Sequence, residues 1–334
     1  MMGKDISERA AAELHRDALV WDNHGCMPFE HPGRWLDQLD LYRRSGVDVA
    51  IINIGDSRIP LETCIRMASE IRAYVKAHPE DYAMALSVDA IQQAKRARKL
   101  AIGLDVEGMF SIGDQLSLID LYYDLGVRWM LMVYNRQNLT GYGCHDEADA
   151  GLTPYGREVV RRMDAVGMIK CCSHTGYRTA MDVLTGTDRP TIFSHSNPRA
   201  LRDHPRNIPD ELIDACAATG GVVCINGIGI FLGDNDASAE TFVKHVDYIA
   251  QRVGVEHVGI GLDYPFDSSN LGAMLTAHPD VWPANCGYEP GIRFMGPEEL
   301  PKVTELLLAR GYAERDVRAV LGENLMRVAR AVWR

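Results

Sequence analysis

Seven residues with acid–base or metal-binding chemistry end short apolar runs of this chain: Asp22, His24, Glu107, Tyr134, His174, His195 and Asp263. Each histidine is the last polar residue of its run, in WDNHG, CCSHTG and FSHSNP. A single histidine in an apolar segment is usually a hydrogen-bonded core residue. Three of them with a carboxylate at Glu107 supply the imidazole and oxygen donors that suit zinc or a similar divalent cation. Independent core histidines would need three coincidences on one rim. The spacing therefore points to a metal site built from His24, Glu107, His174 and His195.

Residues so far apart in sequence meet only if the elements carrying them converge. The runs ALVWDNHG, VDVAIINIG, YAMALS, LAIGLDVEG, RWMLMVY, MIKCCSH, TIFSHS, GVVCING and HVGIGLD are apolar on consecutive residues, as in parallel strands buried on both faces. Between them lie amphipathic stretches such as LETCIRMASEIRAYVKA, TPYGREVVRRMDAVG and AETFVKHVDYIAQRVG, the last two closed by glycines where helices stop. Repeated βα units allow an open doubly wound sheet or a closed barrel. Chemistry at nearly every strand end favours the α/β (β/α)₈ TIM barrel, whose carboxyl ends share one rim, followed by C-terminal helices. Nine runs compete for eight places, and YAMALS is the expected extra. Glu107 then follows strand three, Tyr134 strand four, His174 strand five, His195 strand six and Asp263 strand eight.

The chain has 334 residues, 46% hydrophobic and 24% charged, enough for one barrel domain over 1–334. A net charge of −11 disfavours phosphate backbones and anionic lipid, so neither nucleic acid nor membrane is an expected partner. The uncharged window Ala215–Gly233 holds five glycines and reads as core rather than a membrane span. Eight irregularly spaced cysteines without a C-x-x-C pair, behind an N-terminus lacking an apolar leader, read as free thiols in the cytoplasm. No strand is followed by G-x-G-x-x-G at a helix start, which removes a dinucleotide fold.

The motifs DNHG, GLDVEG, SHTGY, FSHSNPRALRDHPRN and HVGIGLD, in this order, resemble the renal (membrane) dipeptidase family of the amidohydrolase superfamily. The resemblance runs from about Leu19 to Asp263 and extends to GENLMRV in the tail. It implies a centre of one or two zinc ions, with His24 on one metal, Glu107 bridging, and His174 and His195 on the other. It also implies that Arg206 takes a substrate carboxylate and that Asp263 handles protons and faces the substrate amine. Asp22 would orient or ligate. Two positions depart from the family: Cys26 stands where an aspartate ligates the first metal, and Tyr134 where a histidine steadies the tetrahedral intermediate. Cys26 either ligates as thiolate or leaves the first site weak; Tyr134 can donate a hydrogen bond but carries no positive charge. The implied activity is zinc-dependent hydrolysis of a dipeptide, an L,D-dipeptide among them, by water activated on the metal. Alternatives are another small amide, lactam or ester at the same site, or a non-catalytic metal- or ligand-binding barrel. The insertion around 264–298 is expected to fold over the site mouth, and with the tail it offers surface for a homo-oligomer.

Overall fold

The computed structural model describes residues 2–334, with side chains from Arg9 onward. Eight strands form the barrel: β1 (Trp21–Cys26), β2 (Val49–Asn53), β3 (Leu100–Val106), β4 (Val127–Leu131), β5 (Ile169–Cys171), β6 (Thr191–Phe193), β7 (Val222–Ile225) and β8 (Val258–Ile260). Each pairs in parallel with the next, and Asp22 opposite Ile260 closes β8 onto β1. The closure is reinforced by a side chain, because Asp22 Oδ1 accepts the Leu262 amide at 2.8 Å. The extra run behaves as expected: Tyr82–Met84 lies outside the closed circuit, paired along the lower part of β3. A second short strand, Tyr264–Pro265, extends the pairing beside the end of β1.

Alternate residues of each strand serve two cores, as the pleat requires. Val49 and Ile51, Trp129 and Leu131, and Val222 and Cys224 pack inside the barrel. Its lower end is plugged by Leu325, Met326, Val328 and Ala329 of the terminal helix Asn324–Val332. Ala50 and Ile52, Ile102 and Leu104, and Val223 and Ile225 face outward to the helices, meeting Met67, Ile71, Val159, Met163, Phe242 and Val246. The helices Leu61–Ala77, Pro154–Val166 and Ala239–Val253 occupy the expected amphipathic stretches. Gly167 and Gly254 follow the last two at φ 89° and 103°, a region costly for any residue with a Cβ. The tail is three helices, Leu300–Ala309, Glu314–Arg318 and Asn324–Val332, rather than one long one.

The uncharged window supplies the end of helix Asp210–Ala218, strand β7 and the loop after it, and is largely buried. Among the described residues no helix is long and apolar enough to cross a membrane. All eight cysteines are free. The insertion after Asp263 runs as a strap across the upper rim. It is pinned to the loop after β7 by Gly229 N–H to the Arg293 carbonyl, 2.8 Å, and Met295 N–H to the Gly227 carbonyl, 3.0 Å.

Candidate metal centre

The rim residues follow their strands by one to three positions, so their side chains turn inward over the barrel mouth. His24 lies within β1, where the register with β2 shifts between Asp22 and Gly25. His174 and Asp263 take left-handed backbone conformations, φ 60° and 58°. Non-glycine residues rarely adopt these, and such strain collects at functional sites. Together the turns bring four side chains to one point. Glu107 Oε1 lies 3.5 Å from His24 Nε2, 3.3 Å from His174 Nε2 and 3.1 Å from His195 Nε2. The His174 and His195 Nε2 atoms are 2.9 Å apart. Below them Trp129 forms the floor, its ring 5.5 Å from that of His24 and 6.3 Å from that of His195.

Each imidazole is held from behind through Nδ1. His24 Nδ1 meets Asp105 Oδ2 at 3.0 Å, and Asn53 Nδ2 donates to the other Asp105 oxygen at 2.8 Å. His174 Nδ1 meets Asn135 Oδ1 at 2.6 Å, and His195 Nδ1 meets Ser194 Oγ at 2.7 Å. Carboxylate and amide oxygens can only accept here, so His24 and His174 carry protons on Nδ1 and turn their Nε2 atoms toward Glu107. Partners of this kind behind metal-binding histidines fix tautomer and ring orientation. Sequence reasoning missed Asp105, Asn135 and Ser194. Asp105 did leave a signal: in GLDVEG it precedes Glu107 by two positions, on the same face of its strand.

This constellation fits a divalent cation. Glu107 Oε1 is buried and has no hydrogen-bond partner among the described residues. A carboxylate oxygen facing lone pairs at that range is costly unless a positive charge lies between them. Donors at about 2.1 Å around a tetrahedral zinc stand about 3.4 Å from one another, close to the separations found. Burial, then the charges of His24 and Arg206 in opposite order of weight, hold His174 and His195 well below the usual imidazole range, the neutral form that ligates. Burial raises the Glu107 carboxyl against the pull of His24, with Asp263 and Asp105 adding to the rise.

Beside His24 lies a second group of donors. Cys26 Sγ is 3.4 Å from His24 Nε2 and donates to Asp263 Oδ1 at 3.1 Å. His24, Cys26 and Asp263 thus form one potential cation set; His24, Glu107 and His195 form another. Asn226 Nδ2 holds the other Asp263 oxygen at 2.8 Å, a fourth partner that the sequence reading did not name. Asp22 belongs to neither set. Its Oδ1 takes the backbone amides of Leu262 and His24, and burial, opposed by those two amides, lifts its carboxyl to about 7. That geometry is the orienting one.

Tyr134 stacks on His174, ring centroids 4.2 Å apart, and burial, then the Glu107 charge, keeps its phenol protonated. Arg206 is 2% exposed. Its Nη1 donates to Ser196 Oγ at 3.3 Å and its Nη2 to the His195 carbonyl at 3.1 Å, while Nε has no partner. The guanidinium lies in the layer just behind the cavity wall. The cavity, about 670 Å³, is lined by Cys26, Glu107, Tyr134, His174 and Asp263, with Phe231, Trp282 and Tyr288 among its apolar walls. Trp282 and Tyr288 belong to the strap, which covers the mouth as expected of it.

Residues 59–275 match the model of the membrane dipeptidase family, peptidase family M19. The chain belongs to that family. It is 31% identical over 254 residues to the dipeptidase tcpJ of Claviceps purpurea, covering 75% of this chain and 55% of that protein. It is 28% identical over 274 residues to the dipeptidase verJ of Clonostachys rogersoniana, covering 81% and 66%. The chain thus spans about half to two thirds of the length of these curated relatives. An amidohydrolase from Pseudomonas aeruginosa superposes with a TM-score of 0.87 at 28% identity, over 97% of this chain and 99% of that one. A metallopeptidase from Rhodobacter sphaeroides, solved with a phosphinate mimic of L-Ala-D-Ala, shares the fold at TM-score 0.79 and 18% identity, over 95% and 99%.

Proposed function

We propose that this chain is a zinc-dependent dipeptidase acting on short substrates with a free C-terminus, L,D-dipeptides among them. The observation that carries the reading is the unpartnered Glu107 oxygen facing the Nε2 atoms of three imidazoles. His24, with Cys26 beside it, would hold one cation; His174 and His195 would hold another, and Glu107 would serve both. A cation so held supplies Lewis acidity, which polarises an amide carbonyl and acidifies water. The rest of the work falls to the chain. Asp263, steadied by Asn226, takes the proton of the attacking water and returns it to the departing amine. Tyr134, kept protonated, donates a hydrogen bond to the oxygen on which charge develops. Arg206 uses two of its five N–H groups on Ser196 and His195, and the remaining donors would receive the substrate carboxylate. The relatives' dipeptidase names, and the L-Ala-D-Ala mimic bound to the Rhodobacter enzyme, support the substrate class.

A second reading, hydrolysis of another small amide, lactam or ester, is favoured by two observations: sulfur at Cys26, and a guanidinium already engaged by the protein. Metal analysis of the purified protein, with a panel of L,L- and L,D-dipeptides bearing free or amidated C-termini, separates the readings. One or two zinc equivalents, with turnover that collapses on amidation, is the expected result. Metal without peptide turnover sinks the dipeptidase reading, and absence of metal leaves a non-catalytic barrel. Equal rates on acid and amide would remove the Arg206 clamp alone. Zinc should also shield Cys26 from alkylation if the thiol ligates.

A further inference from the structure

We propose that Asn135 is a positioning residue that couples the seating of the strap over the cavity to the metal-binding tautomer of His174. The inference rests on the metal reading above. Asn135 is fully buried and left-handed at φ 54°, directly after Tyr134. Its backbone is clamped by the far part of its own loop after β4: His145 N–H donates to the Asn135 carbonyl at 3.0 Å, and a Cβ at Gly143 would run into that carbonyl. Its side chain therefore swings little, and its two ends face different parts of the molecule. Oδ1 accepts from His174 Nδ1 at 2.6 Å; Nδ2 donates to the carbonyl of Val281, in the strap, at 3.1 Å.

An amide can present either end to a neighbour, and the neighbours decide which. The Val281 carbonyl can only accept, so while the strap is seated the NH₂ must point to it and Oδ1 must point to His174. That orientation demands a proton on His174 Nδ1 and leaves Nε2 bare for a cation. If the strap lifts, only the weak Cys144 thiol donor, 3.4 Å from Oδ1, still favours that orientation. The amide can then turn its NH₂ to Nδ1, which moves the imidazole proton to Nε2 and blocks the ligand position. The adjacent contacts lie along the same path. Arg136 Nε donates to the Asp280 carbonyl, and Trp282 meets Tyr134 edge-on at 6.2 Å, the same Tyr134 that stacks on His174. Coupling of this kind is reciprocal: a seated strap favours the cation, and the cation must favour a seated strap.

Two substitutions separate the halves of the device. Asn135→Asp keeps an oxygen toward His174 and tolerates the left-handed backbone, but loses the donor to Val281. Asn135→Gly suits the same backbone and removes both ends. The measurements are zinc release to a chelator from the loaded protein, and hydrogen exchange of residues 278–288 with and without zinc. In the unmutated protein zinc should slow strap exchange by about tenfold or more, the scale of a typical coupling between sites. Asn135→Asp should retain zinc within about threefold of the unmutated protein yet show strap exchange indifferent to zinc. Asn135→Gly should release zinc roughly 10–100-fold faster, the usual cost of losing a partner behind a metal ligand. Zinc-dependent strap protection surviving in Asn135→Asp would overturn the proposal, as would normal zinc retention in Asn135→Gly. Zinc that binds the unmutated protein without slowing the strap overturns the coupling alone. Failure of zinc to bind at all overturns it together with the metal reading.

Discussion

His24 leans on a carboxylate, Asp105, at 3.0 Å, whereas His174 and His195 lean on an amide and a hydroxyl at 2.6 and 2.7 Å. Around His24 the neighbours are acidic or sulfur-bearing: Asp105, Asp263 and Cys26. Burial lowers His24, but the charges of Cys26, Asp105 and Glu107 outweigh it and raise the imidazole well above its usual range. Around the other two histidines burial and the Arg206 and His24 charges act together, and both imidazoles stay neutral. One half of the centre is thus negative and attracts a cation. The other is neutral and lies beside Arg206, with Glu107 as the wall common to both halves.

Removing the common wall should produce the largest effect. Glu107→Gln deprives both halves of a charged oxygen, and kcat/KM on any dipeptide that is turned over should fall by about 10³-fold or more, several kcal/mol of stabilisation. Bound metal, counted by mass spectrometry on the native protein, should fall with it; full metal occupancy with intact turnover would dissolve the picture of a shared ligand.

Smaller effects should separate the halves. Asp105→Asn removes the charge behind His24, and zinc affinity should drop about 10–100-fold. Ser194→Ala removes only a hydroxyl behind His195, so its cost should be smaller. Competition with a chromogenic chelator ranks the two, and equal losses would erase the distinction drawn between a charged and an uncharged support.

The smallest expected effect concerns the neutral side and pH. His204 Nε2 meets the Cys286 carbonyl at 2.7 Å, and His145 Nε2 meets the Tyr288 hydroxyl at 2.9 Å, both on the strap. Burial, resisted by the Cys286 carbonyl and aided by Arg206, holds His204 at about 4; burial, then His204 and Arg206, holds His145 at about 3. Both lie below the free value of about 6.5, so the open strap binds protons more readily than the seated one. The stabilisation is complete above pH 6.5 and is lost as pH falls toward 4. At pH 5.5 His204 alone should let the strap open about tenfold more often than at neutrality. Hydrogen exchange corrected for its intrinsic pH dependence measures this, and His204→Gln should weaken the response by about one histidine's share, leaving that of His145.

Much of the barrel was legible because a parallel strand buried on both faces leaves an unbroken apolar run, and because each run here ends in chemistry. Even the surplus run was identifiable: YAMALS has the composition of a strand, yet only Tyr82–Met84 pairs, low on β3. The ligand candidates were legible for the same reason. Their partners were less so. Asp105 meets His24 across 81 residues and across the intervening β2, and Asn135 meets His174 across 39, contacts that exist only once the strands are assembled round one mouth. An asparagine after a tyrosine carries no periodic signal that it will hold a histidine, and neither does a serine before one. Arg206 shows the opposite limit: HPRN marks its position, but its engagement by Ser196 and the His195 carbonyl depends on how its loop folds back.

The bond from Asp22 to the Leu262 amide spans 240 residues of chain. On a ribosome adding about 5–20 residues per second, the first strand must wait roughly ten to fifty seconds for the partner that closes it. During that time Glu107, His174 and His195 are already translated, while Asp263, which completes the side nearest His24, is not. The order of synthesis therefore runs through the centre itself. A nascent chain carries His24, Cys26, Asp105, Glu107, His174 and His195 before it carries Asp263, and the side nearest His24 is finished only when the last strand seals the ring.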